Sequence, residues 1–372
     1  MKVVFTGDLF LGGDLLEFEG RVIDVDEFHD ADLRVSNLES PLSSGKNSAK
    51  KPVLFAPESA VNTLVSLNVD IVNLANNHIQ DKGNEGIEDT LNLLKDHNID
   101  CFGSGTDLKQ ASKEIWLSSK ICVLGYCQYD SPTLNWIQRA KEDSPGVNPL
   151  SLEKVIEDLN KIPDSTKAIL YFHWGREHVW LTQGKNIELA RKLFDHPKVL
   201  HIIGMHPHRV QGSLKSGDKE CYFSLGNFLF PNFYMEPPNN LYYPTEIQRD
   251  RIKHYTYQYH PVYKPTYKKW DLVNRISLIL EFDTESTNLR AIPVMQKKDS
   301  PQIVKLKGVK GRLVLIWIGF ISCFYFLPRG IYDLVEKSHA WSNVAFWRFK
   351  MKISILRQLS LRLILSKIKR KF

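Results

Sequence analysis

The chain alternates short, almost wholly apolar runs with polar clusters, and the clusters hold the residues capable of chemistry. The most telling run is VDIVNLANNHI at 69–79, where Val69, Ile71, Val72 and Leu74 give way to Asn76, Asn77 and His78. An apolar run of this length, closed by turn residues, predicts a strand buried on both faces of a sheet. Open α/β sheets place their chemistry beyond the C-terminal ends of such strands. The same pattern predicts strands at 2–6, 33–35, 100–102, 168–172, 199–203 and 221–225. A hairpin is predicted from 114–117 and 121–126, and two closing strands at 276–282 and 289–294. Helical spacing occupies 57–67, 84–97, 151–161 and 186–196, and in 84–97 it sets Ile87, Leu91 and Leu94 on one face. Residues 43–51 read as an exposed polar loop. Residues 231–270, rich in Tyr, Pro and Asn without period, read as a long irregular insertion.

Composition changes this picture mainly at the C-terminus. A chain of 372 residues is long enough for one large core or two modest ones, and its 24% charged residues suit a globular protein. The net charge of +7 is unevenly placed: from residue 300 onward, 15 Lys and Arg face only Asp333 and Glu336. That segment carries +13 and the remainder −6. Five cysteines without a CxxC pair predict free thiols in a reducing compartment. The opening MKVVFTGD meets an acid before any secretory h-region could form, so the expectation is a cytoplasmic body.

Six predicted strands end in groups that can bind metal or move a proton: Asp8; Asn37 and Glu39; Asn77 and His78; His173; His206 and His208; and Asn227. Taken singly, each fits an ordinary turn or cap; their repetition argues for a site. A two-metal hydrolase needs this mixture, with carboxylates to neutralise divalent ions and imidazoles or an amide to complete each shell. In His206-Pro207-His208, side chains two apart in an extended segment share a face, so each imidazole could serve its own metal. The remaining histidines, His29, His97, His178, His196, His201, His254, His260 and His339, read as structural or surface residues. Trp174 reads as a pocket wall. Glu177 either orients His173 or is solvated. GDLFLGGD lacks the GK[ST] ending of a phosphate loop, and nucleophile-elbow and zincin motifs are absent.

The blocks TGDLFLGG, SNLESPL, VDIVNLANNHIQDKGNEGIEDTLNLL, GSG, FHWGRE, IIGMHPHRVQG and YFSLGNFLF resemble the bacterial capsule-synthesis family named for poly-γ-glutamate formation (CapA-like). That family is similar to the calcineurin-like metallophosphoesterases. The resemblance covers roughly residues 1–295. It implies an α/β fold of two packed mixed β-sheets flanked by helices, with a dinuclear centre at the strand ends. It further implies Asp8, Glu39 or Asn37, Asn77, His173, His206 and His208 as ligands of divalent metal (Mn, Zn, Fe or Mg), with His78 assisting the leaving group. Two departures stand out. Phe10 occupies the histidine position of the superfamily's Asp-x-His, and Asn-Leu-Glu replaces its Gly-Asp-x-x-Asp, which leaves one metal short of a ligand.

The resulting expectation is a metallophosphoesterase-type domain over 1–300 and a basic, partly apolar helical tail over 301–372. The activity expected is a metal-dependent hydrolysis, phosphoesterase-like, serving capsule, exopolysaccharide or poly-γ-glutamate synthesis. The rival is a non-catalytic scaffold subunit of a membrane polymer synthase. Within the tail, LVLIWIGFISCFYFL at 313–327 has no charge but is short for a spanning helix, and 354–372 is a basic amphipathic stretch. The expected partners are the polymer or its precursor, membrane lipid at the inner face of the cell membrane and a membrane synthase through the tail, with no nucleic acid.

Overall fold

Alternation along the strands decides the layering. In Lys2–Leu9, Val3 and Phe5 point to one face and Val4 to the other, each fully buried. Lys167–His173 does the same: Ile169 and Tyr171 face one core, while Ala168, Leu170 and Phe172 face another. Strands buried on both faces need a sheet on one side and helices on the other. The computed structural model, which describes residues 1–46, 53–129, 137–235, 266–343, 345, 346 and 349, has this arrangement.

One sheet has nine strands, the other six. In the first, Lys2–Leu9 runs parallel to Leu33–Leu38, followed by Ile71–Asn73 and Asp100–Phe102, also parallel. On its other side lie the antiparallel strands Ile276–Asp283 and Leu289–Gln296, and Asn227–Leu229 pairs with its C-terminal end. In the second sheet, Lys167–His173 lies parallel between Ile121–Cys127 and Val199–Met205. Val3, Phe5, Val35 and Ile71 of the first sheet meet Val123, Ile169, Tyr171 and Ile203 of the second in the central core. Each such fully buried side chain contributes about 1.5–3 kcal/mol. The helix Gly83–Asp96 covers the outer face of the first sheet through Ile87, Leu91 and Leu94. Leu152–Lys161 and Gly184–Phe194 cover the outer face of the second. Ser151 caps the former, accepting from the Lys154 amide at 3.1 Å. This is the two-sheet α/β architecture that the sequence resemblance implies.

The structure differs from the sequence expectation in several places. Ser43 is not exposed: its hydroxyl donates to Asp89 at 2.6 Å and is buried, while 47–52 lie outside the described residues. The insertion is not wholly irregular, because Phe233–Met235 pairs antiparallel with Thr266–Lys268. Residues 236–265, with His254 and His260, and the basic stretch 354–372 lie outside the described residues. All five cysteines are free thiols.

The C-terminal segment shares the body's core. From the helix Gly308–Cys323, Ile321 joins the outer core of the second sheet, and Tyr325 and Tyr332 follow it, each at most 2% exposed. The Tyr325 hydroxyl accepts from the Gly212 amide at 3.1 Å, Ser322 Oγ accepts from Ser213, and the Tyr332 hydroxyl donates to Thr182 O at 2.7 Å. Residues 329–343 are helical and continue this packing. Truncating Tyr332 to Ala should therefore destabilise the whole body by about 3–5 kcal/mol, as for other buried aromatic truncations. Urea unfolding checks this, and an unchanged midpoint would mean that the segment packs without stabilising the body.

Candidate metal centre

The site forms where the parallel strands of both sheets run out. Asp8 sits near the end of Lys2–Leu9, its amide donating to Gly226 O at 3.0 Å. The close approach requires glycine beside it: a Cβ on Gly7 would lie 1.8 Å from that same carbonyl oxygen. Glu39 directly follows Leu33–Leu38 and is held by its amide donating to Leu9 O at 2.9 Å. His173 closes Lys167–His173. His206 and His208 follow Val199–Met205, but not as an extended pair: their φ angles are 95° and 53°. The two imidazoles thus converge through left-handed backbone, with ring centroids 6.2 Å apart. Such conformations cost of order 1–3 kcal/mol each and cluster at functional sites.

Two donor groups result, and they share a residue. Asp8, Glu39 and His208 form one; Glu39, His173 and His206 form the other. Within each, the potential ligand atoms all lie within 4.8 Å of one another, and every member is buried. His173 Nε2 lies 2.8 Å from Asn77 Oδ1 and 3.6 Å from Glu39 Oε1, which brings the Asn77 amide to the second group. His208 Nε2 lies 3.7 Å from Glu39 Oε1, and its Nδ1 lies 2.8 Å from Asn227 Oδ1 and 3.4 Å from Asp8 Oδ2. As an acceptor, Asn227 fixes the proton on Nδ1 and leaves Nε2 its lone pair.

Asn37 occupies a different place. Its amide donates to Asp8 Oδ1 at 2.8 Å, and its carbonyl accepts from Asn73 at 2.7 Å. It therefore orients Asp8 from behind, and Glu39 is the carboxylate that both groups share. Phe10, at the position of the superfamily's histidine, packs instead among Phe230 and Phe233, with centroids 5.3 and 5.2 Å away. The first group thus has three donors.

Do these residues suit divalent metal? Asp8 and Glu39 are both fully buried, and Asp8 Oδ2 has no hydrogen-bond partner. Among the described residues Asp8 pairs with no Lys or Arg, only with His208. A buried carboxylate oxygen left unpaired, as Asp8 Oδ2 is, costs several kcal/mol, and a bound cation removes that cost. Carboxylate oxygens mixed with imidazole nitrogens suit Zn, Mn or Fe better than the oxygen-only shells preferred by Mg. The donor set fits.

His78 belongs to a neighbouring arrangement. Its Nδ1 donates to Asp81 Oδ2 at 2.6 Å, and the Leu54 amide donates to the same oxygen at 2.7 Å. Asp81, 1% exposed, thereby fixes the tautomer and leaves Nε2 as the nitrogen able to exchange a proton. Asn76 is the turn residue of the cluster, accepting from the amides of His78 and Ile79.

Sequence reasoning missed some participants and misplaced others. Asp81 stands three residues after His78, a spacing that could have been noticed. His178 is not remote from the site: its ring lies 5.5 Å from that of His208, and Asn274 donates both to its Nδ1 and to the His208 carbonyl. Burial first, then the charges of Lys268 and neighbouring side chains, hold His178 well below the usual imidazole range. Glu177 is neither solvated nor turned to His173; it is buried, with a carboxylate oxygen 3.9 Å from His178 Nε2. Trp174 is no pocket wall. It stacks on Phe223 in the outer core and donates from Nε1 to Phe223 O at 3.0 Å.

Comparison with known proteins shows the family to which the chain belongs. Residues 2–232 match the family model described as bacterial capsule synthesis protein PGA_cap. The chain is 30% identical over 213 residues to the PGA biosynthesis protein CapA of Bacillus subtilis (strain 168), covering 55% of this chain and 54% of that protein. It is 26% identical over 250 residues to the capsule biosynthesis protein CapA of Bacillus anthracis, covering 62% and 60%. Over 192 residues it is 28% identical to a "Probable polyglutamine synthesis accessory protein" of Mycobacterium tuberculosis, covering 47% and 50%. The match spans between half and three-fifths of each relative's length.

Three variants test the arrangement. Replacing His206 and His208 together with Ala should abolish tight binding of divalent transition metal, since each group loses a donor. Glu39→Gln should lower the metal content of both groups, whereas Asn37→Ala keeps every donor and should cost mainly about 1–3 kcal/mol of stability. Elemental analysis of the purified variants checks their metal and urea unfolding the stability of Asn37→Ala; unchanged metal in Glu39→Gln would contradict a shared carboxylate.

Proposed function

The chain belongs to the bacterial capsule synthesis protein family, and from that premise we propose that it is a metal-dependent hydrolase, phosphoesterase-like, acting in the synthesis of capsule, exopolysaccharide or poly-γ-glutamate. The observation that carries this reading is the buried Glu39 common to two carboxylate–imidazole groups. A carboxylate common to both donor groups could serve as a ligand in each. Asp8, Glu39, Asn77, His173, His206 and His208 would hold divalent metal there, which when bound supplies an activated water and stabilises charge on a phosphorus or carbonyl centre.

The chain's own residues do the rest. Asn37 and Asn73 orient Asp8, and Asn227 sets the tautomer of His208. His78 in its imidazolium form, which the Asp81 carboxylate on Nδ1 stabilises, would give the Nε2 proton to the leaving group and return to the neutral Nδ1–H tautomer. Burial of the whole donor set keeps bulk water from competing for it.

A second reading has its own observation. Phe10, locked in aromatic packing, leaves the first group with three donors, and one relative's name calls it an accessory protein. On this reading the metal braces a scaffold for a membrane polymer synthase, and the protein performs no hydrolysis.

Turnover separates the two. The metal-loaded protein should hydrolyse chromogenic phosphoesters. His78→Ala should keep its metal yet lose turnover by ~10²–10⁴-fold, with Asp81→Asn losing part of that. Equal loss of metal and activity in His78→Ala would recast His78 as a ligand. Absence of hydrolysis by the wild type, across phosphoesters and peptide-like amides, would establish the scaffold reading.

A further inference from the structure

The C-terminal segment presents an apolar face that the body does not cover. In the helix Gly308–Cys323, Gly311, Ile318 and Ile321 face inward and are buried, and Val314 packs beside them at the same three- and four-residue spacing. Its opposite side is equally apolar: Val309, Leu313, Ile316 and Phe320 are each more than half exposed. A helix apolar all round is covered on all sides in its working environment. The exposed apolar residues continue beyond it through Phe326, Ile331, Leu334 and Trp341. Of the 18 exposed large apolar side chains among the described residues, 12 lie from Val309 onward. Soluble surfaces rarely concentrate apolar side chains in this way unless something covers them.

The charge says what covers them. Of the +13 carried from residue 300, +9 belongs to 344–372, which directly follow this face, and +2 to 308–343 themselves, where Lys310 and Arg312 stand on the first turns of the apolar helix. Trp and Phe flanked by Lys and Arg form the composition of a surface lying at a lipid headgroup boundary, where anionic lipid attracts each nearby cation. Gly308–Phe326 is long and apolar enough to cross a bilayer by length and composition. Its inner side, however, is committed to the second sheet through Ile321, Ser322 and Tyr325.

We propose that the outward face of residues 308–343 docks the protein onto an anionic lipid surface, lying in the interface while its inner face remains on the second sheet. This proposal stands apart from the hydrolase reading.

Vesicle flotation of the full chain tests it, using phosphatidylcholine vesicles with and without about one-third phosphatidylglycerol. The chain should float with the anionic vesicles and far less with phosphatidylcholine alone, and raised salt should weaken the association by screening. The combined variant Leu313→Gln, Ile316→Gln and Leu334→Gln keeps every cation and every inward contact, and should bind anionic vesicles more weakly by on the order of tenfold or more. Binding equal to wild type would overturn the proposal, as would failure of the full chain to float. A salt-stable dimer in solution that this variant dissolves would assign the face to a second copy instead. Hydrogen exchange on the vesicle distinguishes docking from spanning. The Gly212 and Ser213 amides, which donate to Tyr325 and Ser322, should stay protected, and their loss of protection would show that the helix leaves the body to span.

Discussion

Two carboxylates fully buried among imidazoles and amides are the constraint on which the rest of the site depends. Asp8 and Glu39 are fully enclosed by the ends of strands from both sheets, where water cannot solvate them. A fold selected for stability alone would place apolar residues there. The surroundings instead concentrate ligands that are neutral or able to stay neutral: Asn77, His173, His206 and His208, backed by Asn37, Asn73 and Asn227. Left-handed backbone at His178, His206 and His208 adds local strain, which the dense core beneath supports. Cost is concentrated where cations would recover it.

Much of the fold was legible in the sequence because the strands are buried on both faces and so appear as uninterrupted apolar runs. The gathering of these donor side chains in one place was legible for a related reason, since parallel strands put their C-terminal ends on one edge and polar residues following an apolar run collect there. Direction of the side chains was not. Asn37 and Glu39 are two residues apart and both polar, and only the hydrogen bonds of Asn37 to Asp8 and Asn73 show which one stands behind the other. The His206 and His208 rings meet through positive φ angles, which the residue types do not announce, rather than through an extended strand. Trp174 adjoins His173, yet strand alternation sends it into the opposite core. His178 and Asn274 are far apart in sequence and become neighbours of His208 only in three dimensions.

The C-terminal segment shows the limit of reading charge and hydropathy by composition. Its basic, apolar character suggests an appendage, yet Tyr325 and Tyr332 are as deeply buried as any core aromatic. Spacing decides which apolar residues do which work. On the helix Gly308–Cys323 one stripe, Val314, Ile318 and Ile321, packs into the cores on either side of the second sheet, and the opposite stripe, Val309, Leu313, Ile316 and Phe320, faces outward.

That packing also bears on the candidate metal centre, through the loop that follows His173. Arg176 pairs with Glu336 at 2.5 Å, the Trp180 amide donates to His339 Nε2 at 3.1 Å, and Thr182 O accepts from Tyr332. Trp180 stands edge-on to Trp317 and stacks on His339, with the Arg209 guanidinium over its ring, 5.2 Å from the centroid. The same loop carries His178, which lies against His208 and is held by Asn274. The loop is therefore clamped between the C-terminal segment on one side and the histidine pair on the other. Its backbone is already strained at His178, with φ of 61°, so it would relax if either clamp were released. The C-terminal segment is thus a structural support of the site's histidine side.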